Sequence, residues 1–288
     1  MSLTRVGLDQ ALAALDGYDA IIDARSESEF AEDHLPGARN WPTLNDAERH
    51  RIGTEYKQVS AFDARKQGAV LAARNIAAHL EREADALPRG WRPLVYCWRG
   101  GQRSGALSLV LGQIGFDVQV LDGGYRAFRR HVIADLEAWP ARFEWRVLCG
   151  RTGTGKSRLL GALAAAGAQV LDLEQLAEHR GSVLGALPQG QPSQKHFETR
   201  LWEQLRRFDP ARPVYVESES RTIGRLRIPE ALLMQIRAAH CIAVDMPVEA
   251  RIDLLMADYA NHLHDVDGLC DRLPALRELR GAAVIERW

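Results

Sequence analysis

The segment Gly150-Arg151-Thr152-Gly153-Thr154-Gly155-Lys156-Ser157 follows an apolar run, Trp145–Cys149, and precedes a helical pattern, Arg158–Ala166. It satisfies G-x-x-x-x-G-K-[ST] in full, with the strand-before, helix-after context the motif needs. The glycines let backbone N–H groups close around phosphate oxygens. Lys156 brings a point charge to the outer phosphate, and Ser157 offers a ligand to Mg²⁺. Such a loop needs a buried strand to deliver it and a helix N-terminus to face the anion, which makes this half of the chain α/β. Further strands are expected at Ala168–Leu171, Val214–Glu217 and Cys241–Val244, and helices from Val248 onward. A nucleotide is the default occupant, but any diphosphate suits the same cradle, so the motif leaves ATP open. An acid that organises Mg²⁺ belongs at the end of a neighbouring strand. Glu217 and Glu219 stand there instead of the usual Asp, and Asp172 ends the second strand. Each also admits the plainer reading of a solvated carboxylate.

The first half carries a second glycine loop, Tyr96-Cys97-Trp98-Arg99-Gly100-Gly101-Gln102-Arg103-Ser104, at the end of the apolar stretch Pro93–Tyr96. Gly100 and Gly101 suit an anion-binding nest, and the helix expected at Ser104–Ile114 points its positive end at the same spot. A thiol placed there loses its proton readily, which makes Cys97 the candidate nucleophile. Arg99 and Arg103 are candidates to hold an anionic sulfur, selenium or phosphorus group beside it. Cys97 and Arg103 also fit C-x5-R, the phosphate loop of cysteine phosphatases. Other strands are expected at Ala20–Asp23 and Val118–Leu121, and helices at Leu8–Leu15, Ala64–Ala86 and Tyr125–Glu137. Strands alternating with helices argue for a parallel sheet here too.

The chain has 288 residues, 46% of them hydrophobic, enough for two cores. Pro140 after the charged helix marks the boundary, giving domains 1–137, which carries Cys97, and 138–288, the phosphate-loop domain with a helical tail. The net charge of -1 gives no global sign of nucleic-acid binding. No apolar run reaches the ~18 residues that span a bilayer, and the N-terminus lacks a signal-peptide pattern. Membrane association is not expected, and the cytoplasm is. Cys149, Cys241 and Cys270 read as packing residues. With no C-x-x-C pair, neither a disulfide framework nor a dedicated metal centre is expected.

Asp23-Ala24-Arg25-Ser26, the run His34-Leu35-Pro36-Gly37-Ala38-Arg39-Asn40 and the turn Asp122-Gly123-Gly124-Tyr125 resemble the signature of rhodanese domains, with Cys97 at the persulfide-forming position. A rhodanese-like domain followed by a phosphate loop is more specific than either alone. Together with Tyr56-Lys57-Gln58, Phe62-Asp63-Ala64-Arg65, Ala73-Arg74-Asn75-Ile76-Ala77 and Pro192-Ser193-Gln194-Lys195-His196-Phe197-Glu198, the chain resembles the tRNA 2-selenouridine synthase family over nearly its whole length. Members of that family continue beyond the position of Trp288. The resemblance implies an enzyme that acts on tRNA whose wobble uridine is already 2-thiouridine. Sulfur is replaced by selenium from selenophosphate, and the sulfur is also geranylated from geranyl diphosphate. Cys97 would serve selenium transfer, with Arg99, Gly100, Gly101 and Arg103 steadying the anion. The loop Gly150–Ser157 would hold the diphosphate of geranyl diphosphate, or selenophosphate. Candidate tRNA contacts are Arg126, Arg129, Arg130 and His131, and Arg221, Arg225 and Arg227, each cluster also readable as a solvated face. His262 and His264 read as surface residues.

Two rivals stand beside this reading. One is a rhodanese-type sulfurtransferase or cysteine phosphatase with a regulatory nucleotide domain. Against it, Tyr96 replaces the histidine that usually precedes a phosphatase cysteine. The other is a non-catalytic phosphate-loop switch docked through an inert rhodanese-like sheet, a role that needs no Cys97.

Overall fold

Short apolar runs become parallel strands in both halves of the chain. The structure, a computed structural model, describes residues 4–182, 185–258, 270, 273–277 and 281–287. His262 and His264 lie outside the described residues. Two compact units divide the chain, 1–133 and 134–288.

The first unit contains β1 (Thr4–Val6), α1 (Leu8–Ala13), β2 (Ala20–Asp23), α2 (Glu27–Glu32), β3 (Ala38–Asn40), α3 (Asp46–Gln58), α4 (Ala61–Glu83), β4 (Pro93–Tyr96), α5 (Gln102–Ile114) and β5 (Gln119–Leu121). Its parallel sheet runs β1-β5-β4-β2-β3. Every residue of β2 and β4 is buried, as expected for strands covered on both faces. Ile22, Val95, Leu107, Leu111, Trp41 and Trp91 form the centre of its core, and Cys97 belongs to the same cluster. The long helix begins three residues earlier than its apolar spacing suggests. It is preceded by α3, a polar helix that buries no residue and carries no apolar period. What starts α3 is a capping box: Asn45 and Glu48 each accept an N–H from the other.

Helix α6 (Gly124–Ala138) contains the division between the units. The second unit then contains β6 (Trp145–Cys149), α7 (Lys156–Ala165), β7 (Gln169–Leu171), α8 (Leu173–Ala177), α9 (Gln194–Leu205), β8 (Val214–Glu217), the small hairpin β9 (Thr222–Ile223) and β10 (Leu226–Arg227), α10 (Glu230–Ala238), β11 (His240–Ala243) and α11 (Val248–Asp258). Its parallel sheet runs β11-β6-β8-β7. Val147, Leu148, Val214 and Val216 on the strands and Leu160, Phe197, Trp202 and Leu233 on the helices are all buried. In each unit the glycine loop leaves the carboxyl end of an interior strand, where open α/β sheets place ligands. Among the described residues no helix is long and apolar enough to cross a membrane.

The cysteines correct one expectation. Cys149 and Cys241 lie on neighbouring parallel strands, with Cys241 in register with Val147 and Ala243 with Cys149. They are joined as a disulfide, their Cα atoms 6.0 Å apart. A sequence separation of 92 hides a pair that only the strand order β11-β6 reveals. Cys241 and Cys270 are exposed rather than packed.

Candidate functional site

Cys97 sits where β4 ends and the glycine loop begins. Its Sγ accepts the Gly101 N–H at 3.3 Å and the Ser104 hydroxyl at 3.2 Å. Burial pushes the thiol pKa up. The Ser104 hydrogen bonds, the Arg103 charge and the Arg99 amide outweigh it and hold the pKa below the usual thiol value. Cys97 is only 3% exposed, while Trp98, Arg99 and Gly101 around it are exposed. Two glycines are required by close approach of backbone. Gly100 has φ +67°, and a Cβ on it would meet Leu121 O at 2.7 Å. Gly124 has φ +56°, and a Cβ there would run into the Cys97 carbonyl. The turn can therefore press against the loop, and the Tyr125 and Arg126 amides donate to Cys97 O (2.8 Å) and Trp98 O (3.0 Å).

Arg103 reaches sideways. Its Nη1 donates to Glu29 Oε2 at 2.6 Å, and Arg49 Nε approaches the same oxygen at 2.8 Å. Burial pushes the Glu29 carboxyl up, but the two arginines and the Ser26 amide bring it below its ordinary value. Sequence reasoning missed Glu29. The signal was a capping box, Ser26-x-x-Glu29, at the start of α2.

The strand ends beneath the loop are fixed by a buried ion pair. Arg25, 1% exposed, donates to Asp23 from Nε (3.0 Å) and Nη2 (2.6 Å), and to the Asp33 carbonyl at 2.6 Å. Its guanidinium lies 3.9 Å from the centre of the Tyr125 ring and 5.8 Å from that of Tyr96. The Tyr125 hydroxyl donates to Asp33 Oδ2 at 2.7 Å, and the Tyr96 hydroxyl accepts the Leu35 N–H at 3.1 Å. Residues on both sides of Cys97 in space are thereby tied to β2.

The second loop is open. Gly150, Thr152, Gly153, Gly155, Lys156 and Ser157 line a cavity of about 510 Å³. Gly153 and Gly155 have φ of +82° and +79°, which turns the loop around the N-terminus of α7. Arg151 accepts the Thr154 N–H and hydroxyl at 3.2 and 2.9 Å, closing the turn from within. Lys156 Nζ folds back to Gly150 O (3.1 Å) and Arg151 O (3.4 Å), and Arg251 of α11 donates to Thr152 O at 3.0 Å.

Opposite the loop, Glu174, Glu217 and Glu219 bring carboxylate oxygens within 4.8 Å of one another. Burial, then the neighbouring carboxylates, raise Glu174 to about 8. Burial and then Glu217 raise Glu219 to about 7. Burial also raises Glu217, against a hydrogen bond from Ser157 and the charge of Lys156. Glu217 is 5% exposed, and its Oε1 has no protein partner. A hard cation with oxygen ligands fits this set, with Ser157, Glu217, Glu174 and Glu219 as donors. Asp172 has another task. It caps α8, accepting the Gln175 N–H at 2.8 Å, and so aims Glu174 into the cavity. Glu174 escaped the sequence reading because only that helix start distinguishes it from a surface residue.

The basic candidates fall on two surfaces. Arg126 and Arg130 are exposed on α6, Arg129 is half-buried, and His131 lies 3.9 Å from Asp9. Arg221, Arg225 and Arg227 flank the β9–β10 hairpin and are exposed. Of these, Arg225 Nη2 bonds the Gln191 carbonyl, and Arg221 pairs with Glu230 at 3.6 Å.

Comparison with known proteins matches both units. A family pattern described as a rhodanese-like domain covers residues 8–131, and one described as the AAA domain of tRNA 2-selenouridine synthase covers 143–269. A tRNA 2-selenouridine synthase of Nitrosomonas europaea is 35% identical over 88% of this chain and 67% of its own length. Counterparts from Alcanivorax borkumensis and Bdellovibrio bacteriovorus are 39% and 33% identical, over 83% and 90% of this chain and 66% and 69% of theirs. The chain thus spans about two thirds of the relatives it matches. With a rhodanese-like unit carrying a hydrogen-bonded cysteine and a phosphate-loop unit behind it, the chain belongs to the tRNA 2-selenouridine synthase family.

Proposed function

We propose that this protein is a transferase that exchanges the sulfur of 2-thiouridine at the wobble position of tRNA for selenium, by way of an S-geranyl intermediate. In the first step the thiocarbonyl sulfur attacks the allylic carbon of geranyl diphosphate, the C–O bond breaks, and diphosphate leaves. The loop Gly150–Ser157 holds that diphosphate, with Lys156 and the loop amides taking up the charge that develops on the leaving oxygen. A divalent cation bound by Ser157, Glu217 and their neighbours would share the charge; ATP is not required by this scheme. In the second step the selenium of selenophosphate adds to C2, the C2–S bond breaks and geranylthiol leaves, and water then cleaves the P–Se bond to release phosphate and 2-selenouridine. Alkylation has turned a poor leaving group into a good one. Cys97 serves this step, with Arg99 and the Gly100-Gly101 amides steadying the selenium anion, while Arg103, held by Glu29, adds its charge beside the thiol. The wobble base must leave its stack to reach either loop, and the exposed arginines of α6 and the β9–β10 hairpin supply backbone contacts.

One observation carries the reading: the Cys97 sulfur receives an amide and a hydroxyl hydrogen bond at the start of α5, an arrangement that stabilises a thiolate. The Arg103–Glu29 pair weighs against the phosphatase rival, which needs that guanidinium over the loop. The test is to incubate the protein with thiolated tRNA, adding geranyl diphosphate and selenophosphate separately and together, and to read nucleoside masses. Geranylated nucleoside with the first addition and selenouridine with both are expected. Release of phosphate from an aryl phosphate, with tRNA unchanged, would refute the proposal.

A further inference from the structure

Helix α11 lies against the phosphate loop and is tied to it. Arg251 donates to Thr152 O from Nη2 and Nε, at 3.0 and 3.3 Å. Leu255 sits so near Gly153 that a Cβ there would meet its Cγ at 2.8 Å, and Leu254 lies beside Gly155. Both leucines are half-buried and line the cavity of the loop. The rest of the described lining is glycines, hydroxyls, carboxylates and cations. The cavity is therefore polar around the loop and apolar on the side of α11.

The apolar surface does not stop at the cavity. Val248, Ile252 and Leu255 follow the i, i+4, i+7 spacing and share one face of α11, with Met256 one turn beyond Ile252. Val248, Ile252 and Met256 are 59%, 54% and 56% exposed. From Leu255 to Val248 the strip runs along about 10 Å of helix at 1.5 Å per residue. An exposed apolar strip that adjoins a binding cavity marks a contact surface. What covers this one follows from where it starts. Its inner end lies in an anion cradle, so the occupant carries a diphosphate at one end and hydrocarbon at the other. A nucleotide does not fit that description. Its ribose hydroxyls and base edge would face Leu254 and Leu255 without partners, and no aromatic ring stands among the described lining residues to stack on a base.

We propose that the strip Leu255–Ile252–Val248 of α11, flanked by Met256, seats the hydrocarbon of a prenyl diphosphate whose diphosphate lies in the loop Gly150–Ser157. The inference rests on the function proposed above and deepens it, naming the side chains by which this loop takes an isoprenoid in place of a nucleotide. Hydrocarbon laid on the strip removes apolar surface from water and adds affinity that diphosphate alone lacks. The reacting allylic carbon then falls at the border between the polar and apolar sides of the cavity.

Calorimetric titration of the full chain with geranyl diphosphate, inorganic pyrophosphate and ATP, with Mg²⁺ present and tRNA absent, tests it. Geranyl diphosphate should bind roughly tenfold or more tightly than pyrophosphate, and more tightly than ATP. Ile252→Ser should cut the ratio of the two affinities about threefold, and the double variant Val248→Ser, Ile252→Ser should bring it to about twofold or less. Both positions are exposed, so the substitutions leave the core untouched. The ratio is taken within one protein sample, so a fraction of misfolded molecules does not move it. Geranyl diphosphate that binds no tighter than pyrophosphate, ATP that binds tighter than geranyl diphosphate, or a ratio that survives the double variant overturns the proposal. A protein that geranylates thiolated tRNA while the ratio survives disproves the strip alone. A protein whose ratio collapses in the double variant, yet which makes no geranylated or selenated nucleoside, sinks the enzymatic reading and leaves the strip standing.

Discussion

The two glycine loops share one local grammar and differ in what they enclose. Each leaves a buried parallel strand, turns on glycines with positive φ and opens a helix. The loop after β4 is closed on a group of its own chain: its amide and hydroxyl donors converge on the Cys97 sulfur. The loop after β6 encloses nothing of its own but a lysine folded onto its carbonyls, and a cavity of about 510 Å³ lies beside it. One loop closes on a thiol of its own chain, and the other is open to a ligand. That difference in occupant, rather than in backbone, is what the proposed roles rest on, a resident nucleophile in the first loop and a leaving group in the second.

The sharpest way to break this comparison is to remove one function at a time. Cys97→Ala should abolish selenouridine and leave geranylation intact. Lys156→Ala should cut geranylation by about a hundredfold or more. Nucleoside mass spectrometry reads both, and loss of both products in either variant would erase the division of labour. Next in size is the support beneath the first loop. Arg25→Leu leaves Asp23 charged and buried without its partner, which should cost about 3–5 kcal/mol in denaturant unfolding.

The third effect is confined to the second loop and depends on pH. Glu174 and Glu219 are raised in the folded state to about 8 and about 7. The folded state therefore holds more protons than the unfolded one between the ordinary carboxylate range and those values. Stability contributed by the protonated forms is complete below that window and is lost as pH rises through it. Melting temperature should fall from pH 5 to pH 8, Mg²⁺ should restore it at the upper end, and Glu174→Gln should flatten the profile. The smallest effect sharpens the first loop: Ser104→Ala removes one hydrogen bond to the sulfur and should raise the thiol pKa, followed by thiolate absorbance.

Both loops were legible because their information is local. Strand, glycines, charged residue and helix lie within a dozen positions, and β2, β6 and β8 fall where apolar runs predict them. The partners of those loops were not legible, because their information is tertiary. Glu29 reaches Arg103 across 74 positions. Glu174 differs from any surface glutamate only through the helix that Asp172 caps. The Cys149–Cys241 disulfide depends on strand order. Helix α3, with no buried face, left only its capping box as a trace.

The clamp of Arg25 between Tyr96 and Tyr125 has a consequence for engineering. The chemistry of Cys97 is not portable with its motif. Grafting Tyr96–Ser104 onto another scaffold would transfer the letters but not the anchorage, which comes from Asp23 and Asp33 upstream and the Gly123-Gly124 turn downstream. A functional transplant would have to carry the whole first sheet with it.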